Sequence, residues 1–207
     1  MKEGFKKRSI ETHGVMDVLR DASKQPGLWA DVLADPELTI AIRDERIHVY
    51  WLQQQLLELK VQGKHLRFTT HPKFLCDARI PDPKVSGKVR FEAPHFRQPR
   101  WKQYEFFTEY VPGGSTLQRM KQAAAMYAKH PEKRGVHVVA RVNPHVLDVE
   151  FRFEGKYAPD TESGVLIKDP QIDLVVLKRR RGEIEVAFWE AKHVINHRSL
   201  KARNGQG

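Results

Sequence analysis

Two short apolar runs joined by a basic, glycine-containing turn constrain this chain more than any other feature. Ile172-Asp173-Leu174-Val175-Val176-Leu177 leads into Lys178-Arg179-Arg180-Arg181-Gly182-Glu183, and Ile184-Glu185-Val186-Ala187-Phe188-Trp189 follows. β-Branched and aromatic residues on both sides of a glycine turn predict a β-hairpin. Its second strand runs directly into Glu190-Ala191-Lys192. Side chains alternate faces along a strand, so Glu190 and Lys192 share one side. In a hairpin the start of the first strand lies beside the end of the second. Asp173, Glu190 and Lys192 are therefore expected to meet at one end of an apolar sheet.

Two carboxylates side by side repel, and charges at the end of an apolar strand lose hydration unless they pair or bind a cation. Hard oxygen donors suit Mg2+, which is commonly held by one or two carboxylates together with water and substrate phosphate. A nearby ammonium can orient or deprotonate a water, or stabilise charge on a phosphate. Metal-assisted hydrolysis of a phosphodiester is the chemistry these residue types imply. The plain alternative is a structural ion pair on a sheet edge.

Pro170 and Asp173, followed by Glu190-Ala191-Lys192, resemble the two halves of the motif of the PD-(D/E)XK nuclease superfamily, the restriction-endonuclease-like fold. Phe188 to Lys192, Leu38 to Leu59 and Gly135 to Phe153 also look like uncharacterised bacterial members of that superfamily. The resemblance implies that Asp173 and Glu190 are metal ligands for Mg2+ (or Mn2+), with Lys192 as catalytic lysine. Many members add an acid from the helix before the first core strand, and Glu132 is the candidate for it. It further implies a core that continues past the lysine with a helix and a strand, so this chain is expected to lack the end of that core. An edge left open in this way would invite a homodimer.

Glu-x-Lys recurs twice. Glu154-Gly155-Lys156 sits in a polar loop, and Glu58-Leu59-Lys60 has Asp44 upstream in a similar strand–turn–strand pattern. Its strand, Gln53 to Glu58, is glutamine-rich and reads as half exposed, which suits a surface hairpin better than a catalytic sheet.

Lys and Arg total 36 against 26 for Asp and Glu, a formal charge of +10. Such a balance favours a polyanionic partner, here nucleic acid, DNA or RNA. Arg179, Arg180 and Arg181 in the turn, with His193, His197 and Arg198 just past the lysine, are the basic residues expected to meet phosphates. A solvated pair is the plainer reading of the two histidines. A lone Cys76 excludes an internal disulfide and a multi-cysteine zinc site. No apolar run reaches membrane-spanning length, and no apolar stretch follows the basic N-terminus, so a cytoplasmic protein without a membrane partner is expected.

The expected fold is α/β: a restriction-endonuclease-like mixed central sheet flanked by helices, preceded by a small α+β region. Residues 1–75 form the accessory region, with a helix near 10–33 broken at Pro26-Gly27 and four strands turning at Asp44-Glu45 and Gly63-Lys64. Residues 76–113 connect it to the core. There Arg97, Arg100, Trp101, Lys102, Tyr104, Phe106 and Phe107 interleave basic and aromatic side chains, able either to clamp nucleic acid or to pack a loop on the core. Residues 114–207 form the nuclease-like core. It comprises a helix from Leu117 to Lys129 capped by Ser115 or Thr116 and ended by Pro131, strands over 136–141 and 146–153, the hairpin, and a short helical segment at 196–203. A nuclease is the expected function. A nuclease-fold protein that binds nucleic acid or acts in assembly without cutting is the alternative.

Overall fold

The computed structural model describes residues 9–10, 12–80, 89–92, 95–96, 104–128, 131–152 and 171–192. It is a mixed α/β structure with two antiparallel sheets and four helices, divided into two compact units, Lys6–Lys129 and His130–Gly207.

The first unit opens with helices α1 (Val15–Ser23) and α2 (Leu28–Ala34), which bury Val15, Leu19, Leu28, Trp29 and Val32. Pro26-Gly27 separates them, and Trp29 Nε1 donates to the Leu19 carbonyl at 3.1 Å across the corner. Strands β1 (Thr39–Arg43), β2 (Arg46–Trp51), β3 (Gln54–Gln62), β4 (His65–Thr70), β5 (Val89–Glu92) and β6 (His95–Phe96) then pair in sequence order as an antiparallel meander. Two-residue turns join the first four. Asp44-Glu45 and Leu52-Gln53 both hold positive φ at each residue, the sign pattern of the type I′ turn that matches strand twist.

Helix α3 (Ser115–Ala125) packs Leu117, Met120 and Ala124 into the same core as Leu28, Val49, Leu57 and Leu59. It therefore belongs to the N-terminal unit rather than to a core beginning near Gly114. Leu75, Phe106, Phe107 and Tyr110 join that core too, so Phe106 and Phe107 pack their loop as the plainer reading of the aromatic segment expects. Arg97, Arg100, Trp101 and Lys102 lie outside the described residues.

The α3 N-terminus is capped differently from expectation. Gly114, at φ 85°, is the cap residue, and Thr116 Oγ1 accepts from the Val111 N–H at 2.9 Å. The capping carboxylate comes from α2: Asp31 Oδ2 accepts from the Gly113 and Gly114 N–H groups, each at 3.1 Å, and from the Tyr110 hydroxyl. Burial, then the bond to Asp31, push Tyr110 far above the ordinary tyrosine range, so it remains a donor. Long-range donors can replace a local cap because both satisfy the same orphan N–H groups.

The second unit begins with α4 (Pro131–Val142), where strand 136–141 was expected. The β-branched Val136, Val138 and Val139 favour a strand locally. Pro131, however, occupies the first helical position, where its fixed φ and missing N–H cost nothing, so it starts α4 instead of ending α3. Burial of Val136 and His137 anchors one side of that helix. Strands β7 (Val146–Arg152), β8 (Gln171–Arg180) and β9 (Glu183–Trp189) follow as a three-stranded antiparallel sheet. The described strands are all antiparallel, not mixed. The expected helical segment at 196–203 lies outside the described residues, and no described helix is long and apolar enough to cross a membrane.

The N-terminal unit also buries an ion triad. Lys121, 4% exposed, donates to Asp35 Oδ2 at 2.8 Å and to Glu37, and its Nζ lies 5.6 Å from the Trp51 ring centre. Lys121→Met keeps most of the aliphatic volume but leaves Asp35 buried without its cation. Urea unfolding should show a loss of about 3 kcal/mol, since removing one partner of a buried pair strands the other charge.

Candidate functional site

The β8–β9 hairpin turns at Arg181-Gly182, with φ of 51° and 87°, and pairs Arg180 with Glu183 through to Leu174 with Trp189. Carrying that register one residue outward sets Asp173 opposite Glu190. The chain crosses back at this point, and the Ala191 N–H donates to Asp173 Oδ2 at 2.8 Å. Asp173 thus fastens the tripeptide that carries the other two groups. Glu190 and Lys192 flank Ala191 and form an ion pair through Nζ and Oε1. Asp173 is half-buried, whereas Glu190 and Lys192 are exposed.

Lys192 is held above the ordinary lysine range. The hydrogen bond to Glu190 is the largest cause; the fields of Glu190, Glu132 and Asp173 add to it, and slight desolvation works the other way. Glu132 lies in the first turn of α4. The four residues expected from the sequence to act together therefore all bear on one ammonium. With its pKa raised, Lys192 stays charged through the neutral range.

Two further acids on β7 escaped the sequence reading. Pairing of Val149 with Leu174 and of Phe151 with Ile172 brackets Glu150 against Asp173, and Glu150 holds a left-handed φ of 53°. Asp148, opposite Val175, is buried, and its Oδ1 accepts from the Val149 N–H at 2.8 Å. The signal was present in the alternation of Val146-Leu147-Asp148-Val149-Glu150-Phe151, which sets both acids at strand spacing.

Asp173 and Glu190 offer hard carboxylate oxygens of the kind Mg2+ accepts with water and phosphate. Among the described residues no group of three or more His, Cys, Asp and Glu side chains stands ready to hold a metal ion. The fit is thus to a two-carboxylate site, in which a cation at Glu190 would compete with Lys192.

The basic residues divide. Arg179, Arg180 and Arg181 are exposed at the turn. Six residues of strand separate Arg179 from Asp173, or about 20 Å. They are not part of the acid cluster itself. His193, His197 and Arg198 lie outside the described residues, as does the Glu154-x-Lys156 repeat.

The other Glu-x-Lys is occupied structurally. Glu58 is buried, bonded to Arg46 Nη1 at 2.7 Å, and has His48 Nε2 at 3.9 Å. Its strand is not half exposed: Leu56, Leu57, Glu58 and Leu59 are all buried, because β3 lies inside the six-stranded sheet. No family model, curated protein or solved structure matches this chain.

Removing the charge beside Lys192 should release it. In Glu190→Gln the lysine pKa is expected to fall toward its ordinary value, read from the pH titration of its side-chain resonances by NMR. An unchanged titration would show that the ion pair does not form in solution.

Proposed function

We propose that this protein is a metal-dependent phosphodiesterase acting on nucleic acid, DNA in the first instance, with its site at the open end of the β8–β9 hairpin. The convergence of Asp173, Glu190 and Lys192 carries the reading. It is supported by the reach of Glu132 to the same lysine, by the order of a helix followed by three antiparallel strands, and by the formal charge of +10. In this reading the second unit has a restriction-endonuclease-like fold.

Asp173 and Glu190 would hold Mg2+ (or Mn2+), which when bound supplies a Lewis acid for the phosphate and an activated water. Lys192 acts as a cation rather than as a base, because its surroundings favour the charged form. Placed at a scissile phosphate, it stabilises the negative charge that grows in the transition state. The hydrogen bond from Ala191 to Asp173 holds the two sides of the site in register. Arginines at the turn would contact backbone phosphates away from the reacting one, contributing affinity without sequence preference.

A second reading, a nucleic-acid-binding or assembly protein that does not cut, is favoured by the pairing of Lys192 with Glu190 itself. In that reading the ion pair is the resting state of the site, and no cation displaces it.

Cleavage of plasmid and single-stranded DNA with Mg2+ or Mn2+ separates the two. Wild type should cut only with divalent metal, and Lys192→Ala should lower the rate by at least about 100-fold with an unchanged melting temperature. Cleavage that survives in Lys192→Ala would remove the site assignment. A folded wild type that binds DNA equally with and without metal, and never cuts, would establish the second reading.

A further inference from the structure

The alternation of β9 sorts its side chains into two unlike faces. Glu183 and Glu185 stand opposite Arg180 and Lys178 in the register, so acids and bases are matched on one face. Lys178 also lies over the Trp189 ring on that side, Nζ to centroid 4.9 Å. The other face carries Ile184, Val186 and Phe188 at successive alternate positions, 64%, 51% and 48% exposed. Arg179 stands opposite Ile184 at one end of this row. Glu190 continues the row at the other end, followed by Lys192. No carboxylate of β8 or β9 interrupts the row between Arg179 and the Asp173–Glu190 end.

An apolar strip with a cation at each end matches one occupant by charge and by surface. Single-stranded nucleic acid presents unpaired base faces to apolar side chains and phosphates to cations. A paired duplex hides its base faces and would leave the strip exposed. Phe188 is the side chain suited to stacking, because it is aromatic, half exposed, and steadied from beneath by Phe151 at a ring-centroid distance of 5.7 Å. It is also only two residues from Glu190.

We infer that the exposed face of β9 is a binding track for single-stranded nucleic acid, on which Phe188 stacks a base next to the acid end while Arg179 holds a phosphate upstream. This rests on the proposed nuclease reading and narrows its substrate to unpaired strands. Glu190 and Lys192 would then meet the phosphate adjoining the stacked base.

The test is binding of a fluorescein-labelled oligothymidylate to the full chain in EDTA, followed by anisotropy, so that cleavage plays no part. Phe188→Leu keeps an apolar side chain against Phe151 but removes the aromatic face. It should weaken binding roughly 5- to 150-fold, the range for losing one stacked base. Phe188→Tyr should bind like wild type, which a merely structural role for the ring would not require. If Phe188→Leu melts early, cross-linking of wild type to a 5-iodouridine oligonucleotide decides instead. Attachment at Phe188 supports the track, and attachment confined to the first unit overturns it.

Unchanged affinity in a well-folded Phe188→Leu overturns the inference, as does preference of wild type for a duplex of the same length. A dimer that falls apart in Phe188→Leu without loss of oligonucleotide affinity would assign the strip to a second copy of the chain. None of these outcomes touches metal-dependent cutting. Failure of wild type to bind any oligonucleotide would instead remove the nucleic-acid reading as a whole.

Discussion

The register of the β8–β9 hairpin is the constraint on which the candidate site depends. Arg181-Gly182 closes the turn in two residues with both φ positive, and that geometry fixes Arg180 opposite Glu183. Every later pair follows, up to the crossing where Ala191 meets Asp173. A slip of one residue would move Glu190 and Lys192 to the face now held by Glu183 and Glu185, since side-chain direction reverses at each step. Gly182 is what makes the tight turn inexpensive, because φ of 87° is one that residues bearing a Cβ rarely adopt. The arginines of the turn thus have two consequences at once: they build a basic tip and, by their position, set which face the distant acids occupy.

The two units handle charge in opposite ways. In the first, charged groups are enclosed and matched: Lys121 between Asp35 and Glu37, Glu58 beside Arg46 and His48, and Asp31 beneath Tyr110 and two backbone N–H groups. Such groups hold elements together and leave little for a ligand. In the second, Glu190 and Lys192 are paired with each other yet remain exposed, with side chains 58% and 46% accessible. An exposed pair in water contributes little to stability. The Glu-x-Lys pattern therefore has one meaning on a central strand, where neighbouring strands cover it, and another at the free end of a hairpin.

Much of this was legible in the sequence, and the misses have identifiable causes. The hairpin, the first four strands and the turns at Asp44-Glu45 and Gly63-Lys64 could be read from alternation and turn chemistry, which are local. The turn at Leu52-Gln53 could not, because neither residue announces a positive φ. Residues 136–141 read as a strand because valine prefers one, and only the neighbouring Pro131 and the packing of Val136 reverse that preference. β3 looked half exposed because its glutamines were weighed and its place in the six-stranded sheet was not visible. The cap on α3 was sought beside it in Ser115 and Thr116, whereas it comes from Asp31, more than eighty residues earlier. Asp173, Glu190 and Lys192 were found because hairpin geometry relates them within a few residues of register. Asp148 and Glu150 were not, because reaching Asp173 requires knowing which strand is its other neighbour.

That other neighbour changes what the site asks of a cation. Asp173 lies between β9, which brings Glu190, and β7, which brings Glu150 across from it and Asp148 one pair away. Negative charge therefore gathers from three strands and from the first turn of α4, while Lys192 is the cation that these groups are shown to influence. Carboxylates crowded in this way raise each other's energy, and any cation that approaches lowers it. The ion pair to Glu190 answers part of that demand and keeps the lysine charged. A divalent ion would answer more of it, but only by taking Glu190 from Lys192. The lysine would then be released, still protonated, within reach of whatever anion the metal holds. On this argument the exposed ion pair and a metal-bound state are successive conditions of one arrangement, and the raised pKa of Lys192 belongs to the first.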